Sequence, residues 1–149
     1  MIENAKTSGT RVRHRLGVVG LPGFAPVPHL LLLHQRDLKI TSSELNVFLN
    51  IFMHWHDAAR LPYVHTATIA RRMATSQRSV QRLINSLKKK GMVERVPGLR
   101  RDDPKRYDVR PLLLKLQPYA KEWVAHKASV TESRSRGVKE MFAAVTGVV

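Results

Sequence analysis

Between positions 76 and 90 the chain reads SQRSVQRLINSLKKK, and nearly every polar side chain in it is a hydrogen-bond donor or a cation. At ~100° per residue Val80, Leu83, Ile84 and Leu87 share one side of a helix, while Arg78, Arg82, Asn85 and Lys89 fall almost opposite. Guanidinium and carboxamide groups are planar and can bond at two points at once. That chemistry matches paired acceptors and donors on base edges, Arg with guanine O6 and N7, Gln or Asn with adenine N6 and N7. Gln77 and Gln81 complete the set of candidates. Ser76 is the expected N-cap, and Ser76 and Ser79 are candidates for phosphate contacts as well as capping.

The charge balance points to the same partner. Across the 149 residues, 26 Lys and Arg stand against 11 Asp and Glu, a formal net charge of +15. Between Arg71 and Arg110 there are thirteen basic residues and four acids, which places +9 of that surplus on about a quarter of the chain. A concentrated surplus of this size suits a polyanion. A second basic run, Arg100, Arg101, Lys105 and Arg106, follows Pro97-Gly98 and is placed to follow phosphates or enter a minor groove. Asp102 and Asp103 in the same turn are alternative partners for those cations.

Several elements must hold these side chains. Thr66 as a cap, with Ile69, Ala70 and Met73, predicts a short helix, and the helix from Ser76 follows almost at once, stopping near Gly91. Met92 to Val96 alternates as a strand, and Arg106 to Val109 can return as its partner. Upstream, Thr41 and Glu44 have capping-box spacing, and Leu45, Phe48, Ile51, Phe52 and Trp55 recur at helical spacing to about His56. The apolar run around Leu30 to Leu33 is a strand or a one-turn helix. Asp57 to Pro62 reads as a loop. After Pro111, placed at the first helical position, Leu113, Leu116, Ala120 and Trp123 share a face, with an interruption expected at Pro118. Residues 129–137 read as a linker before a short terminal helix, and residues 1–15 as a flexible basic arm.

The order of these elements makes a helix-turn-helix with a basic wing, and the pattern over 66–96 resembles the winged helix-turn-helix superfamily, including MarR-like and GntR-like bacterial regulators. The residues that carry it are Ile69-Ala70, Met73-Ala74-Thr75, Ser76, Ser79-Val80, Leu87 with Gly91, and Met92 onward. Ala74 stands where that superfamily commonly has Gly, and Ser79 where Thr is usual. A looser resemblance over about 24–119 is to the winged-helix modules of plasmid and phage replication initiators. Together these imply a duplex DNA-binding module, and the second resemblance implies one from a mobile element.

Other chemistry is disfavoured. His54, His56 and His65 lie near Asp57, but a zinc pair on one helix face needs ligands three or four residues apart, and His54 and His56 point about 200° apart. No metal and no cofactor are expected. Nothing resembles a P-loop, a GxSxG elbow or a paired-carboxylate site, so an enzyme is not expected. The chain has no cysteine and no run of about 18 apolar residues, which leads to the expectation of a cytoplasmic protein without a membrane partner.

The fold class expected is mainly α with a small β-hairpin (α+β). Its parts are a basic arm over 1–15, a winged helix-turn-helix domain over 16–110, and C-terminal helices over 111–149 that build a homodimer through Leu113, Leu116, Ala120 and Trp123. The preferred function is a sequence-specific transcriptional regulator binding double-stranded DNA as a homodimer. The alternative is a replication-initiation or maintenance factor of a plasmid, phage or integrated element. RNA is a poorer partner, because the A-form major groove is closed to side chains. A small-molecule effector is left open.

Overall fold

Among the described residues with positive φ, three close turns of one kind, the last two of them just past a helix end. Lys39, Ala74 and Gly91 have φ of 54°, 50° and 66°. Each is followed by an amide that reaches back five residues: Ile40 to the Gln35 carbonyl, Thr75 to Ala70, and Met92 to Leu87, at 3.0–3.1 Å. Those are Schellman turns, which satisfy carbonyls that a helix end leaves open.

The computed structural model describes residues 3–98, 100 and 105–146, with side chains over 10–98, 100 and 105–141. In chain order the helices are α1 (Glu3–Leu16), a 3-10 turn (Gly17–Gly20), α2 (His29–Leu33), α3 (Ser42–Phe52), α4 (Thr66–Arg72) and α5 (Gln77–Lys89). Strands β1 (Glu94–Val96) and β2 (Arg106–Asp108) and the helix α6 (Arg110–Thr146) follow. The strands are antiparallel, pairing Glu94 with Asp108, Arg95 with Tyr107 and Val96 with Arg106. The architecture is therefore the mainly helical one with a single hairpin.

The core is one cluster. α5 packs on α3 and α4 through Val80, Ile84 and Leu87, against Val47, Phe48, Ile51 and Ile69. Tyr107 and Val109 close it from the hairpin, and Leu112 and Leu116 from α6. The expected capping box of α3 is present: Thr41 Oγ1 accepts from the Glu44 amide at 3.2 Å, and the Thr41 amide donates to Glu44 Oε2 at 2.8 Å. The apolar run near Leu30 is a one-turn helix, and it packs on α6 with His34 stacked on Tyr119 at 3.9 Å.

Several sequence expectations change: α3 stops at Phe52 and not near His56, the N-cap of α4 is His65 with Thr66 its first residue, and four others follow. The basic arm is helical over Glu3–Leu16, ending in a basic last turn and Gly17 at φ 56°, a helix stop that a search for hydrophobic periodicity overlooks. Residues 129–137 are not a linker, because α6 runs unbroken for 37 residues and contains Pro118. In that stretch Ser129 and Thr131 hydroxyls donate back to the His126 and Lys127 carbonyls, and Arg136 meets Glu132 one turn away, so its polar residues are compatible with a helix. Helix α6 also begins one residue before Pro111. Lastly, Leu116 is only 4% exposed and belongs to the core of this domain, so it cannot also line an interface with a second copy.

Candidate nucleic-acid interface

Helix α5 is held by its buried side and displays the other. Val80, Ile84 and Leu87 are buried, whereas Arg78, Gln81, Arg82, Asn85 and Lys89 are exposed. Ser76 caps the helix, its hydroxyl accepting from the Ser79 amide at 3.1 Å and lying 2.8 Å from the Ser79 hydroxyl. Both serines are thus engaged in capping. Gln77 is engaged as well: its Nε2 donates to Thr66 Oγ1 at 2.8 Å, a bond that ties the start of α5 to the start of α4. Five of the sequence-predicted side chains on α5 therefore form the displayed row, and three secure the helix.

The far end of α5 is fixed by a charge inside the fold. Lys90 donates to both oxygens of Glu44, at 2.7 and 2.9 Å, and to the Lys39 carbonyl at 2.7 Å. Glu44 is 2% exposed and also accepts from the Ser86 hydroxyl. Burial by itself raises the Glu44 pKa, but the bonds from Lys90, Ser86 and Thr41 outweigh it and bring the carboxyl down to about 2. Lys90 is thus a structural cation, not one offered to a ligand.

The wing adds a second basic edge. Arg100, Lys105 and Arg106 are exposed, and Arg101 lies outside the described residues, as do Asp102 and Asp103. At the base of the hairpin Arg110 grips Asp108 at two points, 2.7 and 2.8 Å, and its amide donates to the same carboxylate at 2.9 Å. That grip holds the Asp108 carboxyl below its ordinary range, against the opposing effect of burial. It also neutralises the acid that sits across from Glu94. Tyr107 is buried with its hydroxyl pKa pushed up by burial, although neighbouring Arg95 favours the phenolate.

One contributor was not legible as such. Tyr63 forms a bridge with Arg106 on the edge of β2 away from β1, and the Tyr107 amide donates to the Pro62 carbonyl at 2.9 Å. The contact is an isolated bridge beside the two-stranded sheet, and it brings Arg60, Tyr63 and His65 beside the wing. No alternation could reveal so short a pairing. Among the described residues no helix is long and apolar enough to cross a membrane.

Helix, bridged loop, helix, turn, helix and hairpin, with the last helix of the trio displaying a basic row, define a winged helix-turn-helix domain. The model of the DnaD N-terminal domain matches residues 27–127, and the chain belongs to that family. The crystal structure of the N-terminal domain of DnaD from Geobacillus kaustophilus HTA426 is 25% identical, with a TM-score of 0.52 over 72% of this chain and 88% of that one. The S. aureus MepR–DNA complex also aligns, at 15% identity and a TM-score of 0.44, covering 78% of this chain and 90% of that one. MarR aligns at 15% identity and 0.40, covering 77% and 88%. No curated protein matches the sequence.

Proposed function

We propose that this domain binds double-stranded DNA, with α5 in the major groove and the wing on the backbone or in the adjacent minor groove. The observation that carries the reading is the row Arg78, Gln81, Arg82, Asn85 and Lys89, exposed along a helix whose opposite side is the centre of the core. Such a row can reach base edges without any rearrangement of the fold. Arg100, Arg101, Lys105 and Arg106 would supply phosphate contacts that set register. In this reading the domain acts by binding.

Two biological settings suit a duplex reader. A homodimeric transcriptional regulator is one, and a replication-initiation or maintenance factor is the other; membership of the DnaD N-terminal domain family fits the second as well as the first. A second copy would extend a reading frame of a few base pairs to a site of useful rarity. Leu113, Ala120 and Trp123 remain as the apolar surface for that contact, Trp123 being 55% exposed. Selection of bound sequences from random duplexes, with the stoichiometry of the complex measured alongside, tests the proposal. Enrichment of one motif supports it, and the absence of any duplex retained above background overturns it.

A further inference from the structure

Beside the edge of β2 that Tyr63 bridges, the chain from His54 to His65 folds round a cleft of about 780 Å³, lined by His54, His56, Arg60, Tyr63, His65 and Arg106. We propose that this cleft seats a phosphate group, either a phosphodiester of the bound duplex or the phosphate of a free nucleotide. The first source rests on the DNA-binding reading above; the second does not.

The lining is chemically lopsided. Arg60 and Arg106 carry permanent positive charge, and Arg is the side chain whose fork best matches phosphate oxygens. The one acid in the wall, Asp57, already accepts the Ala59 amide on Oδ1 at 2.9 Å. Three imidazoles add donors, and for one of them the proton can be placed. Arg72 Nη1 lies 3.2 Å from His54 Nε2, and because a guanidinium can only donate, Nε2 must be the bare acceptor. His54 is therefore neutral with its proton on Nδ1. Burial, then the nearby Arg72 and His56, lower its pKa in the same sense. The cleft thus offers fixed charge from two arginines with imidazoles beside them, which is a setting for an oxyanion.

Competing occupants fit less well. No three His, Asp or Glu side chains among the described residues form a group that could hold a metal ion. The volume falls in the range of small-ligand sites and admits a mononucleotide. Tyr63, 54% exposed, supplies an aromatic face for the sugar or base attached to that phosphate. The position also suits a DNA strand. Arg106 belongs to the wing, and His65 precedes α4, whose Thr66 is bonded to Gln77, so the cleft lies beside the wing and the start of α4, one hydrogen bond removed from α5.

The test uses the full chain and the double variant Arg60→Gln, His56→Gln, both exposed positions, with thermal melting to show that the fold is kept. In one arm, duplex affinity is measured against salt: the variant is expected to bind every duplex about tenfold more weakly at low salt, with unchanged base preference and a slope shallower by about 1. In the other, inorganic phosphate and then adenosine monophosphate are added to the free protein while the imidazole nitrogens are followed by NMR. Shifts at His54 or His65 that vanish in the variant support the site and point to the free-nucleotide source. If no duplex binds but phosphate moves those signals, the DNA reading fails and the cleft stands. If duplex binding is unchanged in the variant and phosphate moves none of the signals, the cleft proposal is overturned while the DNA reading survives.

Discussion

Glu44 and Lys90 meet at 2.7 Å across 46 residues, joining the first turn of α3 to the residue that ends α5. The same carboxylate closes the α3 capping box. A single side chain therefore fixes where one core helix begins and where the displayed helix stops.

This pair predicts an acid limb to the stability curve. The Glu44 carboxyl sits near 2 in the fold against an ordinary 4.5, so its contribution is full above 4.5 and is lost as pH falls from there through 2. At ~1.4 kcal/mol per pKa unit, the amount is on the order of 3 kcal/mol at neutral pH. Urea unfolding between pH 2 and 7 should show this, and Lys90→Met should both flatten the limb and lower neutral stability by about 3 kcal/mol. An unchanged limb in that variant would mean that other carboxyls govern acid unfolding.

Ala74 occupies a left-handed turn that glycine accepts freely. Ala74→Gly should raise stability by about 0.5–1 kcal/mol, since relief of the Cβ clash exceeds the added chain entropy, and Ala74→Val should lower it. Thermal melts of the two variants should move in opposite directions.

Contacts from α5 and the wing separate by sequence dependence. Arg82→Ala or Arg78→Ala is expected to cost ~1–3 kcal/mol on the selected site and to relax base preference, whereas Lys105→Ala should weaken all duplexes alike. With about six phosphates neutralised per protomer, log K should fall with log salt at a slope of about −5. Equal losses on selected and random DNA for the α5 variants would move base reading elsewhere.

Assembly is tested by light scattering. The unaltered chain is expected to run as a dimer and Trp123→Glu as a monomer, because a carboxylate at an exposed apolar contact cannot be buried cheaply. A monomer before substitution, with one protomer per duplex, would remove the dimer from the proposal.

The parts of this fold that were legible in sequence are those where periodicity and capping agree. The α3 capping box at Thr41 and Glu44, the two-sided α5 and the hairpin about Pro97-Gly98 all announce themselves locally. What escaped depends on distant partners. Lys90 reads as one more surface cation until Glu44 is brought to it, and Leu116 reads as spare apolar surface until the core closes over it. Gln77 shares its type and spacing with base-reading side chains, yet Thr66 claims it. Residues 129–137 show the opposite failure, since Ser, Thr, Glu and Arg are as acceptable in an exposed helix as in a linker.

Helix α6 has 37 residues, about 55 Å at 1.5 Å each, and from Lys121 to Met141 every side chain is exposed. Isolated helical turns in water are near balance between order and fraying, so amide protons along α6 should exchange at two rates. Those near Leu112 and Leu116 should open only when the whole domain does, and those past Lys121 should open far more readily. Anything that lies along the distal half, a second copy or another partner, would then be registered as slowed exchange there, well away from the surface proposed to meet nucleic acid.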